Sequence, residues 1–252
     1  MGVKTLTAKP EIKSKLVKQP GSKSSSQTTL TVKSIPVKAA TLKKIVTPLH
    51  IAVAGNIGAG KTTLTTLLAK NMKWEPHFED VDDNPYLNDF YEDMQRWSFN
   101  LQIYFLNSRF QQVMKIRQNP KTVIQDRTIY EDANIFAPNL HAMGLMTTRD
   151  FNNYQALFNL MAKFISPPDL LIYLRGSVPA LVSQIQKRGR DYENSIRIDY
   201  LKRLNERYEA WVSTYELGKI LIIDIDDINF AEKPEDLGVI INKINAEIHG
   251  LF

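Results

Sequence analysis

Residues 49–67, LHIAVAGNIGAGKTTLTTL, constrain the fold of this chain more than any other stretch. A short apolar, partly β-branched run (Ile51, Ala52, Val53, Ala54) leads into Gly55, Asn56, Ile57, Gly58, Ala59, Gly60, Lys61 and Thr62. Thr63 and a Thr/Leu/Ala sequence suited to a helix follow. Strand, glycine loop, helix is the order in which a chain wraps its backbone N–H groups around a polyphosphate. The start of the helix adds unpaired N–H groups and the positive end of its dipole, Lys61 adds a mobile point charge, and Thr62 places a hydroxyl where Mg²⁺ would sit.

The location of charge excludes one class of partner. The chain of 252 residues carries a net charge of +5. Residues 1–44 hold ten Lys, no Arg and one acid, Glu11, so they carry +9 and the remainder carries −4. The basic character belongs to the amino-terminal segment, and the rest gives no electrostatic reason to expect a nucleic acid. Residues 1–46, rich in Lys, Ser, Thr, Val and Pro without apolar periodicity, read as a disordered basic extension. They lack the apolar core of a secretory signal, and no membrane partner is expected. Their many hydroxyls and few acids leave an organellar address open against a cytoplasmic setting. Cysteine is absent, which excludes disulfides and thiolate chemistry, and the four histidines (His50, His77, His141, His249) show no metal-ligand spacing.

Residues 47–252 read as one domain in which strands and helices alternate. Strands are predicted at 49–54, 74–79, 121–125, 169–174 and 219–225, and helices at 60–72, 86–95, 97–118, 130–138, 148–165, 178–187, 198–216 and 234–248. Thr147 is placed as the cap of the helix at 148. The strand at 169–174 is almost continuously apolar, as a strand covered on both faces should be. This alternation predicts an α/β fold: a five-stranded parallel sheet between helical layers, with ligands at the carboxyl ends of the strands. The first three strands deliver polar residues there. An Arg-rich segment, 188–193, suits a lid that closes on phosphates, and the Asn-Lys-x-Asp of guanine readers is absent.

Several motifs in one order carry a closer resemblance. They are GNIGAGKTT, Phe78-Glu79-Asp80-Val81 followed by Asn84-Pro85-Tyr86, Arg96-Trp97-Ser98-Phe99 with Gln102 and Arg109, Asp126-Arg127-Thr128, and Lys187-Arg188-Gly189-Arg190. From about residue 49 to the carboxyl terminus the chain resembles the deoxyribonucleoside kinases, and most of all their bacterial-type deoxyadenosine/deoxyguanosine branch. The resemblance implies a three-layer P-loop kinase fold, ATP with Mg²⁺, and phosphorylation of the 5′-hydroxyl of a purine deoxynucleoside. It also implies a homodimer, and inhibition by the end-product triphosphate.

The same resemblance assigns roles. Glu79 matches the general base, Asp126 with Thr62 would organise Mg²⁺, and Arg127 would reach both the 5′-hydroxyl and the transferred phosphoryl. Arg188 and Arg190 match lid arginines. Tyr91 and Glu193 would hold the 3′-hydroxyl, Gln102 the base edge, and Arg109 with Asp132 would lie near the base and the catalytic acid. Phe136 would stack on the base. A carboxamide offers adjacent donor and acceptor, which suits a base edge.

Four departures stand out: Asp126 in place of the commoner Glu, Gln184 where mammalian relatives place another arginine, Leu101 where some relatives present an aromatic, and Asp80 where relatives carry proline. Asp80 either raises the pKa of Glu79 or points to solvent. Broader or pyrimidine specificity, a nucleoside monophosphate kinase and an idle nucleotide-binding protein are the competing readings. The carboxylate-rich acceptor side (Glu79, Asp80, Asp82, Asp83) argues against a monophosphate acceptor. The intact Lys61, Thr62, Glu79 and Arg127 argue against idleness.

Overall fold

The structure is a computed structural model that describes residues 47–79, 84–190, 193 and 196–250. The extension at 1–46, the acids Asp80, Asp82 and Asp83, and lid positions 191, 192, 194 and 195 lie outside the described residues.

Five strands form the sheet: β1 (His50–Gly55), β2 (Glu75–His77), β3 (Val123–Asp126), β4 (Leu170–Arg175) and β5 (Lys219–Asp224). Their order is β2-β3-β1-β4-β5 and every pairing is parallel. The phosphate-loop strand is therefore central, with β3 and β4 on either side. Its period-2 alternation divides the core. Ala52 and Ala54 face one helical layer, while Ile51 and Val53 face the other. The small alanines leave room for the bulkier aromatic layer on their side.

That aromatic layer is built from α2 (Leu87–Glu92), α3 (Met94–Ile116), α4 (Ile129–Glu131), α5 (Ala137–Ala142), α6 (Thr148–Ala162) and α8 (Ile198–Ser213). On the opposite face Leu64 and Leu68 of α1 (Lys61–Met72), Leu181 of α7 (Val178–Arg188) and Ile240 and Ile244 of α9 (Pro234–His249) are buried against Ile172 and Leu174. Each fully buried aliphatic side chain of this kind contributes about 1.5–3 kcal/mol relative to exposure. Among the described residues no helix is long and apolar enough to cross a membrane.

The elements follow the sequence reading in kind and order, with informative shifts. The hydroxyl of Thr147 accepts from the Asp150 N–H at 3.2 Å, so α6 begins on its expected cap. The second strand is shorter than predicted, ending at His77, so Phe78 and Glu79 leave the sheet and turn toward the neighbouring helices. The helix expected at 130–138 is interrupted. A π-helical turn (Asp132–Phe136) separates α4 from α5, which runs on to Ala142. Pro138 explains the wide turn, because it donates no N–H and its ring crowds the carbonyl four residues earlier.

The loop after β1 is clasped by α7. Gly58 has φ +84°, and a Cβ there would lie 2.6 Å from the Leu181 carbonyl oxygen and 2.9 Å from Cγ1 of Ile185. Gly58→Ala is therefore expected to cost about 1–3 kcal/mol of stability in urea denaturation and to raise KM for ATP. Unchanged stability and KM would show that the loop does not need this conformation.

Candidate active site

The carboxyl ends of β1, β2 and β3 meet at one cavity of about 310 Å³. Ile57, Gly58, Lys61, Thr62, Arg188 and Arg190 line its donor side. Glu79, Tyr91, Gln102, Arg109, Arg127, Asp132, Phe136 and Glu193 line the rest, so residues spread over more than 130 positions share one space.

The donor side follows from the loop. Asn56 staples it to α8: its Nδ2 donates to the Leu201 carbonyl at 3.1 Å and to Oδ1 of Asn205 at 3.2 Å, and its own Oδ1 accepts from the Ile57 N–H at 2.8 Å. Gly60, at φ +84°, starts α1 with no side-chain cap, so the first-turn N–H groups of Lys61, Thr62 and Thr63 stay open to an anion. Gly55, Asn56, Ala59 and Gly60 shape the loop without lining the cavity, and the Thr63 side chain is exposed. The Lys61 ammonium donates to the Asn56 carbonyl at 3.0 Å. Burial, then the nearby Arg127 charge, brings its pKa down to about 8.

Thr62 and Asp126 fit a divalent cation. The Thr62 hydroxyl donates to Oδ2 of Asp126 at 2.5 Å, while Oδ1 of Asp126 is buried without a hydrogen-bond partner. Burial pushes this carboxyl up, which a bound cation would reverse. Among the described residues no three His, Asp or Glu converge on one point, so phosphate and water oxygens would complete the shell of a Mg²⁺.

On the acceptor side Glu79 lies under two guanidiniums. Nη2 of Arg109 donates to Oε1 at 2.6 Å and Nε of Arg127 to Oε2 at 3.2 Å. Burial alone would push this carboxyl up, but Arg109, Arg127 and Lys61 outweigh it and hold it at about 2. Glu79 is thus an ionised acceptor in the free protein. Arg109 also donates from Nε to Asp132, one guanidinium serving two carboxylates. For Asp132 burial wins over Arg109 and Arg127, and its carboxyl rises to about 6.

Gln102 is buried on α3, and its Oε1 has no hydrogen-bond partner. An unsatisfied buried carbonyl beside a cavity is a standing acceptor for a ligand N–H. The Phe136 ring lines the cavity and carries the Arg127 guanidinium on its face at 4.6 Å. Tyr91 stands beside the apolar wall, edge-on to Phe90 at 5.2 Å. Arg188, the last residue of α7, donates twice to Glu193, with Nε at 3.0 Å, and Arg190 lies 3.9 Å from the same carboxylate. Arg188 and Glu193 are thereby joined at the cavity they both line.

Some supporting residues escaped the sequence reading. Gln112 donates to the Phe78 carbonyl at 2.8 Å and accepts from Gln125 at 2.6 Å, and Gln125 meets His50 at 2.8 Å. This chain fixes the peptide just before Glu79 once β2 has ended. Glu131 and Tyr208 lie behind Arg127. Only the Thr128-x-x-Glu131 spacing, a capping box, was a signal available in the sequence.

Comparison with known proteins identifies the family. A family model described as deoxynucleoside kinase matches residues 51–249. A deoxyadenosine/deoxycytidine kinase of Bacillus subtilis (strain 168) is 40% identical over 202 residues, covering 79% of this chain and 93% of the relative. A deoxyadenosine kinase of Dictyostelium discoideum is 42% identical over 202 residues, covering 79% and 80%. The structure of a deoxyadenosine kinase from M. mycoides with bound dATP superposes with a TM-score of 0.70 at 31% identity, covering 78% of this chain and 99% of the other. The chain therefore belongs to the deoxynucleoside kinase family and is a phosphotransferase.

Proposed function

We propose that this enzyme transfers the γ-phosphoryl group of ATP to the 5′-hydroxyl of deoxyadenosine first and deoxyguanosine second, in deoxynucleotide salvage. The observation that carries this reading is the shared cavity. A phosphate loop with two lid arginines opens directly onto an ionised carboxylate and the orphaned carbonyl of Gln102. Oε1 of Gln102 would accept from an exocyclic amino group while its amide donates to the adjacent ring nitrogen. Tyr91 and Glu193 would take the 3′-hydroxyl, and Arg109 with Asp132 would fix the base side.

The nucleoside hydroxyl would donate to Glu79. As the new P–O bond forms at oxygen and the bond to ADP breaks, the proton passes to that carboxylate. A carboxylate held at about 2 is a weak base, so the proton moves late, when the hydroxyl has become acidic. Arg127, with Arg188 and Arg190, would meet the charge spread over the transferred group. Mg²⁺, held by Thr62 and Asp126, would neutralise phosphate charge. A homodimer in a cytoplasmic setting belongs to the same proposal. The exposed Leu160 of α6 and Phe164 just beyond it support an interface, and the cysteine-free composition suits a reducing compartment.

A second reading has a specific support. Cytosine presents the same amino group and ring nitrogen as adenine. The Bacillus subtilis relative is named for both deoxyadenosine and deoxycytidine, and another structure of the M. mycoides enzyme holds dCTP.

A panel of four deoxynucleosides, adenosine and deoxynucleoside monophosphates, assayed with ATP, decides between these readings. Turnover highest with deoxyadenosine is expected. Highest turnover with deoxycytidine would favour the second reading, and turnover of monophosphates alone would contradict both. Glu79→Gln is expected to lower kcat by about 100-fold or more while the nucleoside Kd changes little. Near-normal kcat would remove Glu79 from the chemistry. In the pH profile of kcat/KM, an acidic limb is expected near 6 from Asp132, whose protonation deprives Arg109 of a partner. Glu79, held below its ordinary 4.5, adds no limb there. A limb at 4.5 that disappears in Glu79→Gln would contradict the assignment.

A further inference from the structure

Behind the cavity, two buried side chains make contacts that the chemistry above does not use. Glu131 is fully buried at the end of α4. Its capping role needs only Oε2, which accepts from the Thr128 N–H at 2.7 Å. Oε1 is engaged elsewhere, accepting the Tyr208 hydroxyl at 2.8 Å and the Gly55 N–H at 3.2 Å, from residues 77 and 76 positions away. Tyr208 in turn accepts from Nη1 of Arg127 at 3.0 Å. One carboxylate thus touches the first glycine of the phosphate loop, the turn that carries Arg127 and, through a phenol, the guanidinium itself.

We propose that Glu131 and Tyr208 are a positioning pair that holds Arg127 in register with the phosphate loop. The proposal rests on the reading that Arg127 meets the transferred phosphoryl group. Arg127 has a backbone that needs such support: its φ is +68°, in the left-handed region, and its N–H is tied to the Val53 carbonyl at 3.0 Å. Its guanidinium is held by Glu79 at Nε, by Tyr208 at Nη1 and by the Phe136 ring on one face. These contacts leave Nη2 as the nitrogen that can turn to a phosphoryl oxygen.

The phenol fixes direction. It has one proton, which goes to Glu131, so only its lone pairs face Arg127. Burial keeps the Tyr208 hydroxyl protonated by raising its pKa well above the ordinary value. Glu131 itself lies 3.8 Å from Nη1, within ion-pair reach but outside hydrogen-bond range, so the hydrogen bond that orients Nη1 ends on a neutral group. Tyr208 stands on α8, the helix to which Asn56 also binds the loop, so donor cradle and transfer arginine share one support.

Tyr208→Phe removes the hydroxyl and keeps a ring that stacks on Tyr173 at 5.8 Å and meets Phe136 edge-on at 6.4 Å. The expected result is a fall in kcat of about 10- to 100-fold, with KM for nucleoside and for ATP within about threefold, in a variant whose circular dichroism melt shows a folded protein. Arg127→Lys alone is expected to lower kcat by about 100-fold or more, and Tyr208→Phe added to it should cause no further loss. Glu131→Gln puts an amide donor against the Thr128 or Gly55 N–H. It should lower kcat, and the loss in the double variant with Tyr208→Phe should be smaller than the two single losses multiplied together. An equal loss from Tyr208→Phe in both Arg127 backgrounds would overturn the proposal by showing a general structural role, as would a folded Tyr208→Phe enzyme with normal kcat. Normal kcat in Arg127→Lys alone would instead overturn the role of Arg127, and the proposal with it.

Discussion

Two buried guanidiniums, those of Arg109 and Arg127, share the carboxylate of Glu79, and the rest of the site is arranged around that sharing. Both arginines are at least nineteen-twentieths buried, at 3% and 5% exposure, and neither could be held in such a place uncompensated. Removing one partner of a buried pair costs about 3–5 kcal/mol, so each charge depends on its neighbours. Arg109 leans on Asp132 as well as Glu79, and Arg127 on Glu79 and the Tyr208 hydroxyl. The result is a connected polar layer inside an apolar shell, in which no group moves alone.

That layer gives Glu79 a particular character. A carboxylate held at about 2 is fully charged at neutral pH and binds a hydroxyl proton only weakly. This suits phosphoryl transfer through a loose transition state, where the nucleophile needs orientation first and loses its proton late. In the proposed mechanism Arg127, one of the two guanidiniums that weaken Glu79 as a base, would also meet the charge of the transferred group. On that proposal one arrangement would restrain the acceptor before the reaction and stabilise the phosphoryl during it.

The fold was legible where local chemistry decides it. The strand, loop and helix at 49–67, the apolar β4 and the Thr147 cap all rest on short-range rules, and the structure follows them. Of the residues that the motifs single out, Ile57, Gly58, Lys61, Thr62, Glu79, Tyr91, Gln102, Arg109, Arg127, Asp132, Phe136, Arg188, Arg190 and Glu193 line one cavity. Two things were not legible. The early end of β2 and the π-helical turn depend on tertiary packing and on Pro138, against the periodicity on either side. The supports of the site depend on contacts across long stretches of sequence. Gln112 reaches Phe78, and Tyr208 reaches Glu131 across 77 positions, from helices whose pattern reads only as core. A buried tyrosine hydroxyl leaves no trace in hydrophobic periodicity, so its partner has to be seen in three dimensions.

Everything above depends on paired arginines keeping Glu79 ionised in the free enzyme. A ¹³C NMR titration of the Glu79 carboxyl carbon tests it most directly, with the signal assigned by its loss in Glu79→Gln. A midpoint near 2 is expected, well below the ordinary glutamate value of 4.5. A midpoint at or above 4.5 would contradict it, because Arg109 and Arg127 would then not be holding the charge.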